Sequence, residues 1–415
     1  MIYNKITFYK AAIISATMFA FSACNSSDNT SDEPTSVTYS WTETSAQQAE
    51  FTVLRADTIP SALLLNLLMG QDVQVPGSVV VRNISYNATA GEKAHQLSGV
   101  VALPAGIDEV HTIIIGNHWT IGSDAECPSK SLPIDVGLSV TRGAMVVCAD
   151  YLGYGLTADE VHPYLCAIET ARNSVDCFKA AIALCQSLGI KLADDYRTYN
   201  IGYSQGGAVA LAVQRYIESN ASVDSLVRLE KTLCGAGPYD PIACYKEYLN
   251  SDTLAYPVVV PMIIAGMKAT YPEILQDVAE ADFFSEKFNA AGILDSVKSK
   301  KYNTLQLNSL ITRSVDGATP QNIFSAASLD TTSAIAQKLS AALEINNLTK
   351  GWQPQHRVQF FHSTVDVVVP IINTQNALKA FGESTTDKAI IDNMGTHNDA
   401  ALLFYKLVLQ NNIFE

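Results

Sequence analysis

Ser204 stands between glycines in the stretch Thr198–Gln214, TYNIGYSQGGAVALAVQ, where a β-branched run gives way to an alanine-rich one. Glycines two places either side of the serine leave room for neighbouring backbone in a sharp strand-to-helix turn. The hydroxyl is then presented at a helix N-terminus, where the backbone dipole favours developing negative charge. A serine hydroxyl is a poor nucleophile near neutral pH. It needs an imidazole to take its proton and a carboxylate to orient that imidazole. Four histidines, His95, His111, His118 and His162, precede Ser204, and three, His356, His362 and His397, follow it.

Gly202-Tyr203-Ser204-Gln205-Gly206 at such a junction resembles the nucleophile elbow of the α/β-hydrolase superfamily, in which the acid and then the histidine follow the serine along the chain. His397, in DNMGTHNDAALL, lies between the last expected strand and a terminal helix, where that superfamily places its base. His356 and His362 lie before or within the preceding strand and leave no carboxylate in the expected place before them. Asp366, in VQFFHSTVDVVVP, sits just past a strand, at the carboxyl edge where open α/β sheets carry their sites. Asp392 is its rival. Asp366 is favoured because a strand and a helix must intervene between acid and base. Acyl transfer also needs two N–H donors for the tetrahedral oxyanion. The first is Gln205, the residue after the nucleophile. The second is expected from GNHWT, at Trp119 or Thr120, where His118-Trp119-Thr120 stands in place of the superfamily's usual His-Gly-x. Trp119 and Tyr203 are expected to wall the substrate pocket, and His118 to pack rather than react.

The elements that must hold these residues are legible as alternating patterns. SVVVRNISYNA and HQLSGVVALPAG read as a hairpin; HTIIIGNHW, RGAMVVCADYLGYG and TYNIGYS read as strands. The helices ETARNSVDCFKAAIALCQSLG and GGAVALAVQRYIE lie between or after them. Short apolar strands alternating with helices imply an α/β fold with a mostly parallel central sheet and helices on both faces. From 242 to 354 strand signals fade and YPEILQDVAEADFFSEKF, LQLNSLITRSV and TTSAIAQKLSAALEINNL read as helices, an inserted cap. The expected core is therefore 51–241 with 355–415. The core resumes with HRVQFFHS, a helix around TQNALKAFG, the strand KAIIDN and the helix NDAALLFYKLVLQ.

Within the α/β-hydrolases the chain is similar to the secretory lipase group that includes Candida lipase A. The residues that carry this likeness are GYSQGG, ADYLGYG (Ala149 to Gly155), HPYL (His162 to Leu165) and HSTVDVVVP, spread over roughly 75 to 415. The resemblance implies a serine carboxylic-ester hydrolase with a helical insertion over the site. Asp150 and Tyr154 are then structural parts of a loop beside the pocket. Ser204 attacks an ester carbonyl, His397 oriented by Asp366 shuttles the proton, and an acyl-enzyme forms and is hydrolysed without metal or organic cofactor. The partner is a small-molecule ester or lipid. A serine peptidase using the same triad and a surface binding protein that has lost activity are the alternatives; the first lacks a propeller-like repeat here, and the second is disfavoured by a complete Ser, Asp and His in order.

Net charge is -14, with 41 acidic against 27 basic residues and no basic run, which argues against nucleic acid as a partner. The opening MIYNKITFYKAAIISATMFAFSAC pairs lysines with an apolar run too short for a permanent span, the pattern of an export signal over 1–23. Phe21-Ser22-Ala23-Cys24 resembles a lipobox, which implies lipidation of Cys24 and an outer-membrane lipoprotein. The polar, acidic stretch that follows, to about Glu50, reads as a flexible tether. Of the eight cysteines, setting aside Cys24 leaves an odd seven, so at least one is unpaired; Cys234 and Cys244 are the pair favoured by closeness in sequence, although spacing alone does not fix pairing. No CxxC or HxxxH spacing suggests a metal site.

Overall fold

The computed structural model describes residues 39–43, 49–70, 74–90, 93–382, 385–410 and 414. The expected signal, Cys24 and most of the tether lie outside them. Among the described residues nine strands form one sheet: β1 Phe51–Pro60, β2 Ser78–Ala90, β3 Lys93–Pro104, β4 Glu109–Asn117, β5 Met145–Ala149, β6 Lys191–Tyr203, β7 Leu229–Gly235, β8 Arg357–Ser363 and β9 Ile390–Asp392. Their spatial order is β1-β2-β3-β5-β4-β6-β7-β8-β9. The first three pair antiparallel with one another and β3 pairs antiparallel with β5. From β5 to β9 every pairing is parallel. This is the α/β-hydrolase arrangement, a mostly parallel sheet with helices on both faces.

The period-2 alternation of each strand divides the core into two layers. Ile113, Ile115, Met145 and Val147 join the layer under the helices Ala167–Ser187 and Gln205–Glu218. Ile114, Val146 and Cys148 point the other way, toward the helices Ser61–Met69 and His397–Leu409. Because both faces are covered, β5 (MVVCA) is buried at every residue, as parallel strands between helical layers are. The helix after β6 is buried almost all round, and its alanines and glycines let it lie close to the sheet.

Between β7 and β8 the chain leaves the sheet and forms helices from Pro241–Asn250 to Ala334–Ile345, with an apolar cluster of their own built on residues such as Phe283, Phe288, Leu307, Ile311 and Phe324. The segment read as one helix from Tyr271 to Phe288 is broken. It forms Pro272–Leu275, a 3-10 turn Glu280–Phe283 and Glu286–Ala290. Local caps favour the breaks: the Asp282 carboxylate accepts from Ala279 N–H at 2.8 Å, and Ser285 Oγ accepts from Phe288 N–H at 3.1 Å. The helix Val259–Thr270 carries Pro261 in its first turn, where the missing N–H costs nothing. β1 is mostly exposed, so it carries little of the burial alternation that marks a strand.

Two expectations are corrected. Residues 39–43, within the expected tether, pack on the core: the Trp41 ring lies 4.3 Å from the Arg215 guanidinium, Asn220 Nδ2 donates to Trp41 O at 2.8 Å, and Glu43 binds Lys179 and Tyr216. The aromatic residues within an otherwise polar stretch supply apolar surface that an open tether would leave in water. All seven described cysteines are free and buried, Cys234 and Cys244 among them. Cys234 is in β7, whereas the helix begun at Asp240 turns Cys244 toward Asn373, whose Nδ2 lies 3.0 Å from its Sγ.

Candidate active site

The parallel register brings the carboxyl ends of four strands to one edge: Asn117 of β4 pairs with Gly202 of β6, Tyr203 with Gly235 of β7, and Gly235 with Phe361 of β8. Ser204 follows β6 with φ 59° and ψ -126°, a strained conformation for a side-chain-bearing residue that costs on the order of 1–3 kcal/mol. Its neighbours hold it there. Ser204 N–H donates to Gly235 O at 2.8 Å. A Cβ at Gly202 would lie 2.0 Å from Gly206 O, and one at Gly206 2.0 Å from Asn117 O, so the spacing of glycines is a steric requirement of the turn.

His397 is the first residue of its helix. Thr396 and Asp399 form a capping box before it, and Ser363 Oγ ties the preceding loop to β8 by donating to Gly395 O at 2.7 Å. These contacts place His397 Nε2 2.9 Å from Ser204 Oγ and Nδ1 2.5 Å from Asp366 Oδ2. Oδ1 of Asp366 accepts from the N–H groups of Val368 and Val369, at 2.8 and 3.0 Å. Burial opposes ionisation of Asp366, but the imidazoles of His362 and His397 and the Val369 N–H outweigh it and hold the carboxyl well below its usual range. His362, fully buried, approaches the same carboxylate oxygen as His397: its Nε2 is 2.9 Å from Val369 O and 3.5 Å from Asp366 Oδ2, and its Nδ1 is 2.7 Å from Thr374 Oγ1. Asp392, the last residue of β9, is exposed, and its carboxylate accepts from Asn393 N–H rather than from His397.

The remaining expected residues gather around the same serine. Asn117, fully buried, donates to Asn200 Oδ1 at 2.8 Å and Ile201 O at 3.0 Å, which anchors the loop that carries Trp119 and Thr120. Thr120 Oγ1 is 2.7 Å from Tyr164 OH. Trp119 is 43% exposed and packs edge-on against Tyr405, so it stands at the mouth rather than in the core. Tyr203 lines the cavity, but its hydroxyl is taken up by His397 O at 2.9 Å. His118 stacks on Tyr151, with Nδ1 2.7 Å from Trp119 O, and burial lowers its pKa. Asp150 is a structural hub that accepts from Ser98 Oγ and from Ser129 N–H and Oγ.

Ser204, Gln205 and His397 open into a cavity of about 370 Å³ that runs up into the cap between Tyr248, Val260, Ile264, Phe324, Leu339 and Leu343. Its walls are overwhelmingly apolar. Sequence reasoning missed Asn117, His362 and the depth of this cavity. A polar residue at a strand end and a histidine one place before a strand's last residue were the available signals for the first two. Among the described residues no cluster of three or more His, Cys, Asp or Glu is placed to hold a metal ion.

The family model of the secretory lipases matches residues 134–405. The chain belongs to the secretory lipase family. As a member it is a lipase- or esterase-type hydrolase, and the family's description accords with export. Solved structures share its fold. The rice cell wall degrading esterase LipA from Xanthomonas oryzae superposes with a TM-score of 0.69 at 21% identity, over 87% of this chain and 98% of that one. A putative hydrolase from Legionella pneumophila gives 0.69 at 17%, over 88% and 96%. Candida antarctica lipase A in its closed state gives 0.59 at 15%, over 88% and 83%. No match is found among curated proteins.

Proposed function

We propose that this secretory lipase is an exported serine carboxylic-ester hydrolase that works through a Ser204–His397–Asp366 triad and an acyl-enzyme. The observation that carries the reading is the unbroken relay from Ser204 Oγ through both ring nitrogens of His397 to Asp366, at 2.9 and 2.5 Å, at the floor of an apolar cavity. Because Nδ1 faces a carboxylate that can only accept, it carries the proton, and Nε2 is left free to receive the one from Ser204. Ser204 then attacks the ester carbonyl. The oxyanion that results falls between the N–H of Gln205, unpaired within its helix because it lies in the first turn, and a donor from Trp119 or Thr120. Imidazolium at His397 protonates the leaving alcohol, and water activated by the same ring releases the acid from Ser204.

The cavity supports an ester with an apolar acyl group. Charged or strongly polar acyl groups would have to be desolvated against Val, Leu, Ile and aromatic walls. The N-terminal sequence ending at Cys24 supports an outer-membrane lipoprotein, which would leave the hydrolase tethered by lipid. The test is hydrolysis of p-nitrophenyl acetate, butyrate and palmitate by residues 25–415 beside Ser204→Ala. Turnover by the wild type alone supports the reading, and the chain-length profile separates esterase from lipase. Equal inactivity of both proteins on all three esters would sink it.

A further inference from the structure

One buried contact beside Ser204 is left over once the proton relay is accounted for. Gln205, whose backbone N–H serves as oxyanion donor in the mechanism above, is almost wholly buried, and its Nε2 lies 2.7 Å from Nε2 of His162. His162 belongs to the HPYL segment, far from Ser204 in sequence and outside the relay. The state of its ring follows from its other partner. Nδ1 is 2.8 Å from the carbonyl oxygen of Leu152, which can only accept, so Nδ1 carries the proton. The Nε2 lone pair is therefore the acceptor, and the Gln205 amide presents its NH2 to it. Burial keeps the ring neutral, with its pKa pushed down to about 3.

The ring has little freedom to move. Tyr151 stacks parallel to it at 6.0 Å, while Tyr154 and Tyr164 close two other sides at 4.9 and 6.0 Å. The backbone is wedged as well. A Cβ at Gly153, where φ is +92°, would lie 2.5 Å from His162 Cα, and one at Gly266 of the cap helix Val259–Thr270 would lie 2.5 Å from Tyr164 N and 3.1 Å from His162 O. Core loop and cap thus grip the segment from opposite sides.

The peptide between Ser204 and Gln205 is fixed on the serine side by the bond from Ser204 N–H to Gly235 O. On the other side it is fixed by the Gln205 side chain. We infer that His162 is a positioning residue for the acyl-transfer reaction: as a rigid, neutral Nε2 acceptor it anchors the Gln205 side chain and thereby aims the Gln205 N–H at the oxyanion of the tetrahedral intermediate. This rests on the serine-hydrolase reading.

The test compares Gln205→Met, His162→Met and His162→Gln with the wild type. It measures melting temperature, kcat and KM on p-nitrophenyl butyrate, and affinity for an acyl trifluoromethyl ketone, whose adduct on the serine carries the oxyanion. Gln205→Met and His162→Met are expected to lose about 10- to 100-fold in kcat with KM little changed, part of the roughly 10²–10³ that deleting a whole donor costs. Ketone affinity falls by the same factor. His162→Gln, whose Oε1 reaches the place of Nε2, recovers most of both. A merely structural role would lower the melting temperature and leave kcat and ketone affinity of the folded protein alone, and that result overturns the inference. Should His162→Met fail to fold, Gln205→Met decides, since it keeps the ring and its packing. Wild-type turnover abolished by Ser204→Ala, with folded Gln205→Met indistinguishable from wild type, refutes the role of His162 and spares the hydrolase reading. A wild type that neither turns over ester nor binds the ketone refutes both.

Discussion

Asp366→Asn leaves the shape of the site nearly intact and changes one proton. In the native site Oδ1 of Asp366 accepts from two backbone N–H groups, of Val368 and Val369, while Oδ2 faces His397 Nδ1. An asparagine must keep its oxygen on those two donors, because an NH2 there would meet N–H groups. Its NH2 is therefore turned toward His397. Nδ1 must then accept and Nε2 must carry the proton, which leaves Ser204 without a base. A carboxylate-to-amide change of this kind costs about 10⁴ in kcat in a triad that works by tautomer control, or roughly 5.5 kcal/mol of barrier at 1.36 kcal/mol per tenfold. Steady-state hydrolysis of p-nitrophenyl butyrate, with melting temperature as the check on folding, reads the effect. A folded Asp366→Asn variant within tenfold of wild type would refute the reasoning, as would a larger loss from Asp392→Asn.

Gly206→Ala places a Cβ against the backbone oxygens of Asn117 and His118, which cannot swing away; a stability loss of about 1–3 kcal/mol and a fall in kcat of at least about tenfold are expected, and a variant with wild-type melting and turnover would contradict the steric account of the elbow. Asp135, buried, has its carboxyl pushed up to about 7 by desolvation, so the folded state keeps a proton that the unfolded state gives up near pH 4. Its presence therefore costs progressively more stability as pH rises from about 4 to about 7 and no more beyond that. Asp135→Asn should gain on the wild type across that window, by no more than about 4 kcal/mol, as followed by melting temperature against pH; a difference independent of pH would be inconsistent with it. Tyr203→Phe removes the donor to His397 O; a loss of about 1 kcal/mol in stability and a few-fold drop in kcat are expected, and unchanged kinetics would show that the bond does not hold the helix that carries His397.

What was legible in the sequence is what local geometry demands. Gly202 and Gly206 stand out because backbone passes within 2.0 Å of where their side chains would be, and such a constraint leaves its mark within five residues. The parallel strands stand out because both of their faces are buried, which writes them as short apolar runs such as MVVCA. Contacts that join distant segments leave no such mark. His162 meets Gln205, and Asn117 meets Asn200, only after the sheet has formed. The exposed edge strand β1 lacks the alternation that identifies a half-buried strand. In the cap, a periodic stretch from Tyr271 to Phe288 breaks where Asp282 and Ser285 satisfy backbone groups that a continuous helix would use. Trp41 shows the same limit at the N-terminal end: composition reads its surroundings as tether, yet one aromatic ring finds Arg215.

The central claim is that Ser204 is a nucleophile activated by His397, and covalent capture tests it most directly. A p-nitrophenyl alkylphosphonate incubated with the wild type should release one equivalent of nitrophenol and leave one phosphonyl group on the peptide that contains Ser204, read by mass spectrometry. Ser204→Ala should take up none, and His397→Ala should label far more slowly. Labelling that maps to another residue, or that persists in Ser204→Ala, would contradict the account.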